Sequence, residues 1–124
     1  MSTFKVDTLQ STTGGVTTLT GQTGAKCWLN YKGTSTNSIR GSYNVSSVTD
    51  NTTGDYTTNF TNSMSSADYS VTAAQGGDTS NNEVRVPKNA DTLYASNFSV
   101  NTLLVGNAIY DVTYLFAAVH GDLA

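Results

Sequence analysis

The sequence is short of several residues that common folds and functional sites require. Its 124 residues include one Cys, one Pro and one His. The single cysteine, Cys27, excludes an internal disulfide framework and a cysteine-rich metal site. No apolar run reaches the length that spans a bilayer, and the first residues contain no apolar segment of the secretory type. We therefore expect synthesis in a cytoplasm and no membrane insertion.

Charge is also scarce, with 12% charged residues and a net charge of −3. The four Lys and two Arg are scattered without a basic patch, so nucleic acid is not an expected partner. Thr, Ser and Asn are abundant and supply the polar surface instead. Aromatic and β-branched residues occur in alternating runs, which argues against disorder and indicates an all-β domain.

Alternating runs bounded by turn residues predict about seven short strands. In AKCWLNYKG, for example, Cys27, Leu29 and Tyr31 share one face and Trp28 lies on the other. A change of parity at Ser46-Ser47, in a strand predicted over IRGSYNVSSV, indicates a bulge or a change of buried face. The prediction is an antiparallel β-sandwich over residues 25–124.

Residues 1–24 differ from the rest and predict a stem or attachment arm. Their few apolar side chains cannot bury one another in water, so we expect them to contact other copies or other proteins. The last strand is apolar on both faces, which predicts a contact with another subunit. Together these regions predict a homotrimer. The expected oligomer contacts are Phe4, Val6, Leu9, Leu115, Ala117 and Val119.

Catalytic motifs are missing from the sequence: it contains no GxSxG, CxxC, P-loop or HExxH pattern. His120 is interpreted as an exposed residue near the C-terminus, and Cys27 as a small buried filler. Asp68 and Asp91 are more than twenty residues apart, and nothing in the sequence joins them into a glycosidase pair, a question that only a structure decides. We expect no enzymatic activity and no cofactor.

Two polar segments carry oxygen ligands of the kind that calcium prefers, but neither is read as a metal site. Capping of backbone amides in turns is the favoured interpretation, since the first segment does not match EF-hand spacing. The residues are Asp50, Asn51 and Asp55 in one segment and Asp78, Asn81 and Asn82 in the other.

Ligand contacts are expected from loops and from exposed aromatic rings. The loop residues Asp78, Asn81 and Asn82 are candidates because loops carry recognition on sandwich scaffolds. Trp28 points away from the Cys27 face and is a candidate to stack on a sugar ring. Packing of Trp28 under a loop or against another subunit is the favoured interpretation of this residue.

The stretches KCWLNYKGT and IRGSYNVSSVTDNTTGDYTTNF, followed by NSMSSADYSVTA, resemble a module found at the C-terminal ends of bacteriophage tail-fibre and related virion proteins. The N-terminal KVDTLQSTTGG resembles segments that lead into trimeric stalks of such proteins. The resemblance covers residues 4–75 well and the remainder loosely. The matching positions are Trp28, Asn30, Arg40, Asn44, Asp50, Gly54, Tyr56 and Phe60.

This resemblance implies a virion structural protein that is made in the host cytoplasm. It further implies a homotrimer whose arm, residues 1–24, contacts other virion proteins. The sandwich would then attach the particle to a glycan on the host surface. The alternative is a decoration protein of the capsid or neck that coats the particle without binding a receptor.

Overall fold

The structure is a computed structural model, and it describes residues 12–13, 24–77, 82–89, 92–104 and 106–124. The regular elements in these ranges are all strands, so the predicted all-β antiparallel fold is confirmed. Most of the expected arm lies outside the described residues. The strands are β1 (Cys27–Lys32), β2 (Ser38–Tyr43), β3 (Val45–Thr52), β4 (Asp55–Phe60), β5 (Ser70–Gly76), β6 (Asn82–Arg85), β7 (Leu93–Tyr94), β8 (Asn97–Leu104), β9 (Ala108–Ile109) and β10 (Tyr114–His120).

The strands form two antiparallel sheets that pack against each other. The first sheet has the order β2-β1-β10-β5, and the second has the order β3-β4-β8-β6. The short strands β7 and β9 also pair with β8. Because β1 and β10 lie far apart in sequence but side by side in space, the two ends of the described domain are joined in one sheet.

The core lies between the sheets and follows the alternation of each strand. In β1, Leu29 and Tyr31 are buried while Trp28 is exposed, as predicted. In β4, Tyr56 and Phe60 point into the same space. The rings of Tyr31 and Tyr56 meet edge to face across the sheets, with centroids 5.2 Å apart. Burial of these large rings is the main stabilising contribution to the fold.

The structure corrects the role expected for the last strand. Leu115, Ala117 and Val119 are at most 6% exposed and lie in the core of the chain itself. They are therefore occupied within one copy and not free to contact another subunit. The reason is that β10 is a central strand, between β1 and β5, whose odd-numbered residues face the second sheet. The exposed face of β10 is the opposite one, which carries Tyr114 and Phe116.

A second correction concerns the predicted strand over residues 39–48, which is divided between the two sheets. The chain leaves the first sheet at Asn44, which has a positive φ of 56°. The Asn44 side chain fixes this corner, since its Oδ1 accepts from the Asn62 amide at 2.7 Å and its Nδ2 donates to the Asn62 carbonyl at 3.0 Å. The predicted irregularity is confirmed as a register shift between Val45 and Ser47.

Asp111 connects the loop before β10 to the hairpin of β3 and β4. Its Oδ1 accepts hydrogen bonds from the Gly54 amide and from the Tyr56 hydroxyl, each 2.8 Å long. Gly54 has a φ of 62°, and the tight turn that it forms brings its amide to the carboxylate. Burial, and then the hydrogen bond to Asp111, raise the pKa of Tyr56, so its hydroxyl remains a donor.

We expect Asp111→Ala to lower the free energy of unfolding by about 1–3 kcal/mol, because it leaves the Gly54 amide and the Tyr56 hydroxyl unpaired. Urea unfolding followed by circular dichroism measures the change. Glu83→Ala, which removes an exposed carboxylate from β6, is the matched control and should stay close to the wild type. Equal stability of Asp111→Ala and the wild type would contradict this role.

The interpretation of Cys27 as a buried filler is confirmed, since the side chain is fully buried in the core. Burial raises the pKa of its thiol from 9.0 to about 12. The folded state therefore favours the neutral thiol, and this contribution to stability is complete below pH 9.0 and is lost as the pH rises towards 12.

We expect the Cys27 thiol of the folded protein to be unreactive towards a disulfide reagent at about pH 8, because the thiolate is the nucleophile. The labelling rate, measured across a urea titration, should rise only as the protein unfolds. Cys27→Ala serves as the blank. Fast labelling in the absence of urea would show that the site opens without unfolding.

Candidate binding face

The outward face of the first sheet is the most distinctive surface in the described part of the chain. Antiparallel register places Tyr43, Trp28, Ala118 and Thr72 in one row across the four strands. The next row contains Gly41, Asn30, Phe116 and Ala74. We call this surface the aromatic face. Its members are Trp28, Asn30, Lys32, Gly41, Tyr43, Thr72, Ala74, Tyr114, Phe116 and Ala118.

Four aromatic side chains of this face are exposed to solvent. Trp28 is 44% exposed and Phe116 is 42% exposed, and Tyr43 and Tyr114 are similar. Contiguous exposed apolar surface of this kind marks binding sites more often than isolated exposed residues do. The exposed apolar area of the aromatic face therefore makes it a candidate binding surface.

Trp28 lies where the sequence placed it, on the face opposite the core. Its six-membered ring contacts the neighbouring strand at Gly41, where an added Cβ would lie 3.3 Å from the ring. The absence of a side chain at Gly41 therefore lets the indole lie close to the sheet. An aromatic ring held near the sheet surface offers a flat apolar platform.

A second platform is formed by Tyr114 and Phe116, which are two residues apart on β10. Their rings are nearly parallel, at 14°, with centroids 5.8 Å apart. The guanidinium carbon of Arg40, from β2, lies 4.1 Å from the centroid of the Tyr114 ring. This cation–π contact fixes the position of Arg40 at one end of the aromatic face.

Small side chains leave an open depression beside Phe116. It has a volume of about 230 Å³ and is lined by residues 72–74 and 116–118. This volume is below the roughly 300–1,000 Å³ of pockets that enclose drug-sized ligands. The depression therefore suits a group that rests on the surface, such as one ring of a longer chain.

Asn30 is the polar residue in the middle of the aromatic face. Its Oδ1 is shielded from solvent and accepts no hydrogen bond from the described residues. An unpaired buried acceptor costs about 1–3 kcal/mol relative to a paired one. Asn30 therefore carries an acceptor that the described part of the protein leaves unpaired.

The other ligand candidates from the sequence were Asp78, Asn81 and Asn82. Asp78 and Asn81 lie outside the described residues. The backbone of Asn82 begins β6 and pairs with Leu104, so it belongs to the second sheet. The structure therefore brings Trp28 together with aromatic partners and places Asn82 in the other sheet.

The acidic turn of β3 and β4 uses its oxygen atoms within the protein. Asp55 accepts from the Lys88 ammonium at 2.6 Å and from Asn51 at 3.1 Å, and Asp50 accepts from Asn37. In the described ranges, no group of three or more His, Cys, Asp or Glu side chains is placed to hold a metal ion. The same ranges contain no helix that is long and apolar enough to cross a membrane.

Two further candidates of the sequence are also placed by the structure. His120 is the exposed last residue of β10, as interpreted. Asp68 forms hydrogen bonds within its own turn, with Ser66, while Asp91 lies outside the described residues.

Sequence reasoning did not identify Tyr43, Tyr114 and Phe116 as parts of a binding surface. The spacing of Tyr114 and Phe116 showed that they share a face, but not that this face points outward. That direction depends on the strands that flank β10.

Comparison of the chain with protein-family models, with curated proteins and with solved structures found no match. The resemblance to phage appendage proteins therefore stays a prediction.

We expect Gly41→Val to displace the Trp28 indole, because a Cβ added at Gly41 would already lie 3.3 Å from the ring and leaves no room for a branched side chain. Trp28 is the only tryptophan, so its fluorescence maximum and its quenching by acrylamide report the change. Gly76→Val is the matched control, since a Cβ there meets nothing within 4 Å. Unchanged emission in Gly41→Val would contradict the contact between Trp28 and Gly41.

Proposed function

We propose that this protein is a bacteriophage virion appendage protein that attaches the particle to a glycan on the host cell surface. The observation that carries the proposal is the aromatic face, with four exposed rings around the amide of Asn30. Sugars present apolar C–H groups on the faces of their rings and hydroxyls at the edges. A flat aromatic surface with a few polar groups matches both parts.

The shape of the face favours a chain of sugars over a compact small molecule. The depression beside Phe116 is shallow, and the platforms of Trp28 and Tyr114 lie on the same sheet surface. A glycan lying across the strands can therefore place successive rings on successive platforms. Its hydroxyls would meet Asn30 and the exposed Thr72 at the surface.

The virion context is proposed from the resemblance of residues 4–75 to phage appendage modules. In this proposal residues 1–24 contact other virion proteins, and the protein assembles as a homotrimer in the particle. The apolar residues Phe4, Val6 and Leu9 carry the argument for assembly, because Leu115, Ala117 and Val119 are buried within one copy.

We expect Trp28→Ala and Phe116→Ala each to weaken binding to host bacteria or their surface polysaccharide by about tenfold or more, since exposed aromatic anchors dominate such contacts. Labelled protein is titrated onto a panel of bacterial cells and isolated polysaccharides. Tyr94→Ala is the matched control, because Tyr94 is also an exposed aromatic but lies on β7, in the second sheet.

Two outcomes would contradict the proposal. Equal loss of binding in Tyr94→Ala would mean that the aromatic face is not the surface used. A wild-type protein that binds no cell or polysaccharide, but returns to virus particles stripped of it, would support the decoration role instead.

A further inference from the structure

Charge is distributed unequally between the two sheets. The four strands of the first sheet contain no Asp or Glu, although the chain carries a net charge of −3. Their charged residues are Lys32 and Arg40, with His120 at the end of β10. The acidic residues of the strands, Asp50 on β3 among them, are all in the second sheet. The strands that build the aromatic face therefore contribute no acidic side chain to it.

Lys32 and Arg40 lie at the same end of the aromatic face. Tyr31 pairs with Leu115, so the antiparallel register brings Lys32 beside Tyr114. Arg40 stands over the ring of the same Tyr114, with its guanidinium carbon 4.1 Å from the centroid. Two cationic side chains therefore flank one exposed aromatic platform.

Neither cation is neutralised within the described part of the chain. The ion pair found there joins Lys88 to Asp55, on the second sheet, and no described carboxylate lies within 4.0 Å of Lys32 or Arg40. Arg40 lies over the Tyr114 ring, and its guanidinium carries N–H donors of the geometry that suits a bidentate contact with a carboxylate.

We infer that the ligand of the aromatic face is an acidic glycan, whose sugar carboxylate binds Arg40 with Lys32 beside it. This inference rests on the proposed glycan-binding function. Because the Arg40 guanidinium already lies over the Tyr114 ring, the sugar that bears the carboxylate lies beside Arg40 against Phe116, and the following sugars extend towards Trp28. The carboxylate supplies a negative charge opposite Arg40 and Lys32, and the aromatic rings supply the apolar contact.

The test compares a polysaccharide before and after reduction of its carboxyl groups to alcohols, which keeps the sugar rings and removes the charge. The probes are the bacterial polysaccharide that the wild type binds and polygalacturonate, each in both forms. The wild type is expected to bind at least one native form about tenfold or more tighter than its reduced form, since hydrogen bonds to a charged group contribute about that much.

Arg40→Gln should remove this preference, and Arg40→Lys should restore part of it. Arg85→Gln is the matched control, because Arg85 is an exposed arginine on β6 that donates to Asn107 and does not contact the aromatic face. Urea unfolding of each variant verifies that the fold is intact. A Gln variant that keeps the wild-type preference would overturn the assignment of Arg40.

The outcomes separate this inference from the function on which it rests. Equal binding of the native and reduced forms, still lost in Trp28→Ala, would overturn the acidic ligand and leave glycan attachment in place. An equal loss in Arg40→Gln and Arg85→Gln would indicate general charge attraction and also overturn it. Absence of binding to every cell and polysaccharide would overturn the attachment function itself.

Discussion

A strand in a two-layer fold can bury only one of its faces between the sheets, and the rest of this structure depends on that constraint. In β1 and β10, the core receives Leu29 and Leu115 and their alternate neighbours. The same alternation sends Trp28 and Phe116 outward, on neighbouring strands of one sheet. The core therefore determines the aromatic face. When alternate residues of β1 and β10 point into the core, the residues between them must point outward.

The outer surfaces of the two sheets differ in their side chains and in how the polar groups are paired. On the second sheet, short polar side chains bind one another: Thr57 and Ser99 share a hydrogen bond of 2.8 Å, and Asn51 donates to Thr57 at 2.9 Å. These polar groups of the second sheet are therefore paired within the protein. On the first sheet, large rings surround an amide oxygen, on Asn30, that has no partner in the described chain. This contrast is the physical reason for assigning recognition to the first sheet.

The sheets are also held together by polar contacts at specific points. Asp111 lies in the loop that precedes a central strand of the first sheet, yet it accepts hydrogen bonds from the β3–β4 hairpin of the second. The side chain of Asn44 fixes the corner at which the chain passes from one sheet to the other. Both contacts join segments that are remote in sequence. The conformational preferences of turn residues therefore explain these contacts only in part.

The sequence by itself determined the all-β class, the alternation of β1, the turn at Gly54 and the irregularity near Ser46, because each depends on residues within a few positions. It also indicated that Trp28 lies on the face opposite Cys27. Only the tertiary structure decided that residues 39–48 divide between two sheets and that Leu115 faces inward while Phe116 faces outward. When both faces of a strand are apolar, alternation does not choose between them. The buried face depends on which strands pair on either side of the strand and on which face the other sheet covers. Neither of these is a local property of the chain.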